Sequence, residues 1–588
     1  MLLSIFTSTL ITLMMLGLCI IPIKKYHKKF NFKNCLSIAL ILGFAFFVTF
    51  NFYKIPSIFI DEASLMYETH NMARFGVDSH LFTMPTYLQS YFGFGQSTLY
   101  MYLLIPFVKL FGTSVFVFRL PFIILTLFTI YAYYFGIFYL EKIGDYMSEG
   151  FAENMRLGLM LSMVTAPYYI QNTRWVLDCN IVVQISNLAV IAFFLGVRTG
   201  KFRFKLIGCL LFALTAWGYN VSWMWLLALA SLLTIWAIHR KLVNVKQYIV
   251  LAVSSAVILL PQFIYALKSF IPSLNHTNHF WLMTIPKMIF NRAQASMVDL
   301  SDGNPVVTVL KNYLSGVYMM FVGGDKLYWN TTSQFGYYYI VGFVFLWIFF
   351  ISFVIKDKTR LLVDKKYAES RYRVGVADLY KLFAIIFLSL LPVMLFVKPN
   401  ANHWNLLHGP VLVSIGLGIA IVLDSKAISK VFTTTLVALA YVVSTTVFCV
   451  AYVGHLNIDR HTGYMNNMEK LDKSLDAAHK VHPKHIYFNF LNEYTSNVPY
   501  VLLHDEISPY EWQKTKNNPY SDEKGKIMTV DKFSNYRDWK LRKKDIQKGD
   551  VAFIPTQDFY TQQYDLQFTI LYEKGEIGEE KVIVAVKN

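Results

Sequence analysis

Ile60-Asp61-Glu62-Ala63 follows an apolar run, Leu36 to Phe52, and opens a polar, aromatic loop. Within a few residues the chain passes from side chains suited to a bilayer interior to two adjacent carboxylates. It continues through Tyr67, Glu68, His70, Asn71, Arg74, Asp78 and His80 before apolar character returns. An acidic pair at the mouth of a bilayer span is costly unless it meets water, a partner or a substrate. The rest of the chain reads as a device for placing that pair at a membrane surface.

Working outward, the 588 residues are 55% hydrophobic, 17% aromatic and only 15% charged, against about 25% charged in soluble domains. Long apolar runs recur to about Val453, and about 20 apolar residues make one helical crossing. The expected fold is a polytopic α-helical membrane protein with about twelve transmembrane helices over 1–453, followed by a small soluble α/β domain over 454–588. Spans are expected near 2–21, 35–53, 119–140, 157–170, 180–197, two flanking 217–220, then 248–267, 337–355, 378–397, 407–424 and 431–453.

The formal charge of +17 is an orientation signal rather than a nucleic-acid footprint. Lys24, Lys25, Lys28, Lys29 and Lys33 follow the first span and mark its cytoplasmic end. Arg198 to Lys205, His239 to Lys246, Lys356 to Arg373, and Lys426 with Lys430 fall on the same side. The alternation places the acidic loop (about 54–113), a long loop (about 270–335) and the tail outside a cell membrane. The expected partners include the lipid bilayer and exclude nucleic acid. Cysteines 19, 35, 179, 209 and 449 show no metal-ligand spacing, which argues against a disulfide framework and a structural zinc site.

Within the acidic loop, Ala63 to Phe75 reads as an interfacial helix with Asp61 as N-cap and Glu62 in the first turn. Leu99 to Phe111, interrupted by Pro106, reads as an interfacial or re-entrant helix. In the tail, Asn466 to His479 has helical periodicity. Ile486–Phe490, Tyr500–Leu503, Val551–Ile554, Leu566–Tyr572 and Lys581–Val586 read as strands.

The outer loops supply the candidate chemistry: Asp61 and Glu62, then Arg174 and Asp178, then Lys398 and His403, with Tyr219 in the turn Trp217-Gly218-Tyr219-Asn220. Each has a plainer reading. Asp61 caps a helix, Asp178 pairs with Arg174 across one helical turn, and Lys398 and His403 anchor at headgroup level. Against these stands their convergence on one membrane face. A lipid-phosphate-linked sugar presents its phosphate at that level, where cations neutralise it. A carboxylate there takes the proton of an attacking hydroxyl, while fixed cations stabilise the charge growing on the leaving phosphate. A single displacement inverts the anomeric centre.

Asp61-Glu62-Ala63 after an N-terminal span, followed by Gly76, Pro85, Leu110-Phe111-Gly112 and Arg119-Leu120-Pro121, resembles the GT-C glycosyltransferases of the protein O-mannosyltransferase type. The bacterial members include lipid A aminoarabinose transferases. Motifs carry the resemblance to about residue 220, and topology carries it beyond. It implies an inverting glycosyltransferase that moves a sugar from a polyprenyl-phosphate-linked donor to a cell-envelope acceptor. It makes Asp61 the base, with Glu62 and Asp178 as the other candidate catalytic carboxylates. Arg174, Lys398 and His403 become candidate phosphate contacts, and Tyr219 a substrate contact. Two outer carboxylates and His403 are of the type that a divalent ion takes, but their spacing identifies no site, so no metal or other cofactor is assigned. Where many bacterial members carry Lys-Pro-Pro, this chain has Gly95-Gln96-Ser97-Thr98-Leu99, and one extra span precedes the acidic motif.

Three other classes remain open on the sequence. A transporter or flippase of lipid-linked saccharides would place ionisable groups at the bilayer midplane within repeated halves, and no repeat is evident. A polysaccharide polymerase would keep the long outer loop without needing the acidic motif. A non-catalytic assembly protein would tolerate Asp61→Asn.

Overall fold

The computed structural model describes every residue except 1, 29, 91–94, 144–148, 290, 302, 328–329, 331, 333, 355–369, 425–429, 459–464, 489–496, 515–535, 540–542 and 578–579. Among the described residues, ten helices are long and apolar enough to cross a membrane. They include Leu2–Lys25, Phe32–Thr49, Val115–Ile143, Ile181–Thr199, Val221–His239 and Asn405–Asp424. Leu99–Phe111 and Ile340–Ser352 are apolar but shorter. The chain is a multi-pass helical membrane protein.

Three segments depart from the expected set of about twelve spans. The 157–170 span is broken into Glu149–Val164 and Pro167–Arg174, with Pro167, which has no N–H to donate, at the start of the second piece. The span before Trp217 is a 17-residue helix, Phe202–Gly218. Inside the long loop lies an unexpected span-length helix, Pro305–Gly323. Lys311 and Asn312 interrupt its apolar run in sequence. In the fold the Asn312 amide donates to the carbonyls of Met394 at 3.2 Å and Val397 at 3.0 Å, so the polar group is satisfied internally. The basic loop Lys356–Arg373 lies largely outside the described residues.

The chain divides into two compact units. The first comprises Met1–Phe52, Leu120–Phe263 and Arg292–Val453. Asn405–Asp424 is buried along nearly its whole length and packs against Glu149–Val164 and Ile340–Val354. The approach to Glu149–Val164 is possible because Gly158 has no side chain: a Cβ there would lie 2.3 Å from the Gly416 carbonyl oxygen. Small residues at such crossings let helix backbones meet in a membrane. Several buried charges in this unit are paired. Asp378 accepts from Arg198 and Arg240, each at 2.9 Å, and Glu141 accepts from Arg156 at 3.0 Å.

The second unit comprises Tyr53–Arg119, Ile264–Asn291 and Gly454–Asn588, so the acidic loop and the tail belong to one body. Its five-stranded sheet has the order Tyr536–Asp538, Ile486–Phe488, Val551–Pro555, Glu580–Lys587, Phe568–Ile577. The first two pairings are parallel and the last two antiparallel. Alternate residues Ala552, Ile554, Ile583 and Ala585 share one core with Tyr487, Phe559 and Phe568, as period-2 burial requires. Met468–His479 packs against the last two strands of that order, burying Leu471, Ser474, Leu475 and Ala478 on one helical stripe.

Residues 500–503, expected as a strand, lie in the helix Val498–His504. A four-residue apolar run has no periodicity to tell the two apart. Pro499 at the helix start and packing on the helix Ile60–Phe75 decide for helix. Ile60–Phe75 is itself not interfacial. Apart from Asp61, every residue from Ile60 to Ala73 is buried, the polar face included. Ahead of it, Ile58–Phe59 pairs antiparallel with Met465–Asn466.

Candidate active site

The acidic motif sits on the first turn of the Ile60–Phe75 helix, which begins earlier than its sequence suggests. Phe59, in extended backbone, is the N-cap, and Glu62 at the third helical position reaches back to accept its N–H at 3.2 Å. Asp61 is therefore inside the first turn and not the cap. Both carboxylates lie at the positive end of the helix dipole.

Arg119, from the Arg119-Leu120-Pro121 motif, closes this turn. Its Nη2 donates to Glu62 Oε2 at 2.6 Å and its Nε to Oε1 at 2.9 Å. Nη1 also donates to the Pro56 carbonyl at 2.9 Å, and Nη2 to that of Ser57 at 3.3 Å. Neither side chain of the pair is exposed. Such a fork fixes orientation as well as charge. Gln96 holds the turn from another direction, donating to the Asp61 carbonyl at 2.9 Å and accepting from Ser64 Oγ at 3.0 Å. The outcome is a backbone clamped on both sides of a half-buried Asp61 side chain.

Further along the same helix, Glu68 is buried and accepts from the Ser79 N–H at 2.8 Å and from the Ser79 hydroxyl. Asp78 accepts from the N–H groups of His80 and Phe82 at 2.9 and 2.8 Å. Burial, then the nearby Asp78, pushes Glu68 up to about 8, and burial pushes Asp78 up to about 7. Burial also holds His80 down to about 4. Gly76, a motif residue, ends the helix at φ +74°, a conformation that favours glycine.

In the first unit, Arg174 donates to the carbonyls of Phe47 at 3.1 Å and Phe50 at 2.9 Å, at the C-terminal end of Phe32–Thr49. Its own helix stops at Arg174, so Arg174 and Asp178 do not share one helical turn. Asp178 is buried in the turn after it. Asn180 Nδ2 donates to the Trp175 carbonyl at 2.9 Å, and Asn405 Nδ2 to that of Cys179 at 2.9 Å. Tyr219 is buried directly after the Phe202–Gly218 helix. Lys398 and His403 do come together. The His403 Nδ1–H donates to the Lys398 carbonyl at 2.9 Å, leaving Nε2 to face Ser296 Oγ at 3.3 Å. The Lys398 side chain is exposed.

Several residues escaped the sequence reading. Gln96 and the Arg119–Glu62 pairing join positions far apart in the chain, with no local signature. Lys268 follows an apolar helix and looks like an end anchor. Its Nζ instead donates to the carbonyls of His276, Ile285 and Pro286 at 2.5, 3.0 and 2.9 Å, and burial lowers it to about 8. His479, His504 and Asp505 also converge, although their spacing fits no short motif.

No protein-family model and no curated protein matches the chain. Among solved structures, ArnT from Cupriavidus metallidurans bound to undecaprenyl phosphate is similar, with a TM-score of 0.51 at 14% identity over 94% of this chain and 97% of that one. ArnT of the same organism in the apo state gives 0.48 at 13% identity, over 93% and 97%. At such identity the likeness is one of fold. The chain has an ArnT-like fold: a multi-pass helical membrane body with a C-terminal mixed α/β sheet region.

Proposed function

We propose that this chain is an inverting glycosyltransferase, moving a sugar from a polyprenyl-phosphate-linked donor to a cell-envelope acceptor on the outer face of the cytoplasmic membrane. The observation that carries the reading is the clamped acidic turn. Glu62 is held by Arg119, and its neighbour Asp61, half-buried where the rest of the turn is buried, stands on the same rigid turn. A base needs that combination of fixed backbone and reachable oxygen. The polyprenyl donor class is supported by the undecaprenyl phosphate bound to ArnT of similar fold.

In this reading Asp61 takes the proton of the acceptor hydroxyl as it attacks the anomeric carbon. The bond to phosphate breaks, and the polyprenyl phosphate leaves with the electron pair. Glu62 is a positioning residue acting through the backbone it shares with Asp61. Lys398, exposed, and His403 beside it on one loop are assigned to the donor phosphate. Arg174 spends two donors on backbone carbonyls and is assigned mainly to holding the turn of Asp178, the second functional carboxylate. Tyr219 remains a substrate contact.

The test is reconstitution in sealed vesicles with undecaprenyl-phosphate-linked hexose or pentose and a cell-envelope acceptor fraction. Release of undecaprenyl phosphate with matching sugar on the acceptor is expected. Movement of the intact lipid-linked sugar between leaflets, with no cleavage, would instead establish a flippase.

A further inference from the structure

The second unit carries a cluster that the proposed reaction does not use. His479 ends the helix Met468–His479, and His504 with Asp505 ends the helix Val498–His504. One ligand atom from each of the three lies within 4.8 Å of the others. His479 Nε2 is 3.1 Å and His504 Nδ1 is 2.7 Å from the same oxygen, Asp505 Oδ1. The other Asp505 oxygen is taken, accepting from the Tyr536 hydroxyl at 2.7 Å. Both imidazoles thus lie against one carboxylate oxygen, and the Tyr536 hydroxyl is also 3.2 Å from His479 Nε2.

We propose that His479, His504 and Asp505 form a binding site for a divalent transition-metal ion of the zinc type. Two imidazoles and a monodentate carboxylate are a common three-ligand set for zinc, leaving a fourth position for water. The supporting groups are those such a site needs. His504 Nε2 lies 3.3 Å from Asp476 Oδ1, which fixes the ring so that Nδ1 is the ligating atom. Tyr536 orients Asp505. The C-terminal ends of the two helices add favourable negative potential for a cation. Each imidazole coordinates only in its neutral form at the ligating nitrogen, so metal replaces the proton that otherwise lies between nitrogen and carboxylate. The absence of cysteine from this region leaves such a site without a sequence signature.

The site joins two segments of one body and continues into a third. Directly after Asp505, Glu506 pairs with Arg74 at 2.7 Å, and the Ile507 carbonyl accepts from the Tyr67 hydroxyl at 3.0 Å. Arg74 and Tyr67 belong to the Ile60–Phe75 helix, which starts with the acidic motif. A bound ion would thereby stiffen the support of that helix. This is a structural role, independent of whether the chain transfers sugar.

The experiment uses the full-length protein in detergent, stripped with chelator, dialysed, and titrated with Zn²⁺ and with Co²⁺ as a spectroscopic probe. One ion per chain is expected, with a rise in the thermal unfolding midpoint on zinc addition. His479→Ala and His504→Ala are each expected to weaken binding at least tenfold. His479→Cys is expected to retain cobalt and to add a thiolate-to-cobalt absorption band, which only direct coordination produces. If an alanine variant fails to fold, the His479→Cys spectrum decides. Absence of binding by the wild type, binding unchanged in both alanine variants, or a cysteine variant without the new band would each overturn the proposal.

Discussion

Arg119 and Glu62, separated by 57 positions in sequence, form a two-pronged ion pair at 2.6 and 2.9 Å with neither side chain exposed. Burying one member alone is far costlier than burying both. Arg119→Met is therefore expected to destabilise the second unit by about 3–5 kcal/mol, measured by chemical unfolding in detergent. Arg119→Met combined with Glu62→Leu is expected to recover part of that loss. Strict additivity of the two changes would show that the residues do not act as a pair.

The carboxyls of Glu68 and Asp78 titrate higher in the fold, at about 8 and about 7, than in an unfolded chain. The folded state therefore retains protons that the unfolded chain has released. Their contribution to stability is fully present below the ordinary carboxylate range of about 4. It is lost as pH rises through about 7 to 8. Glu68→Gln stays neutral and keeps an acceptor for Ser79. Its unfolding midpoint is expected to fall less steeply than wild type between pH 5 and pH 8. Parallel profiles would contradict the assignment.

Lys268 is the shared donor for three carbonyls that bring residues 276–286 back toward the end of an apolar helix. Lys268→Met keeps the stem but removes those donors, at a cost of about 1–3 kcal/mol. Hydrogen exchange across the paired strands Asn278–Phe280 and Met283–Ile285 is expected to accelerate. Unchanged protection there would mean that the hairpin does not depend on the lysine.

Gly158 meets backbone, not a side chain, on the helix Asn405–Asp424, so no rotamer change can make room. Gly158→Leu is expected to cost about 1–3 kcal/mol or more and to lower the yield of folded protein. Gly43→Leu is the control, since Gly43 is exposed and a Cβ there has no neighbour within 4 Å. Equal effects of the two would argue against a close crossing at Gly158.

What the sequence discloses follows from the range of each interaction. Apolar runs such as Val221–His239 and Asn405–Asp424 announce spans because the bilayer demands length and hydrophobicity of each helix alone. Pro305–Gly323 is hidden because its polar Asn312 is satisfied by carbonyls near residue 397. The start of Ile60–Phe75 is misread because no side chain at the N-cap position does the capping; Glu62 reaches back instead. The acidic motif is visible from its cost beside a span. The residues that clamp it, Gln96 and Arg119, are not, because their partners are distant in the chain and set only by the fold.

The most direct test of the account is the turnover of Asp61→Asn with an undecaprenyl-phosphate-linked sugar, in protein matched to wild type for amount and unfolding midpoint. The amide keeps the shape of the side chain and removes its capacity as a base. Turnover is expected to fall by about 10²–10⁴-fold with folding intact. Wild-type turnover from Asp61→Asn would contradict the assignment of Asp61 as the base.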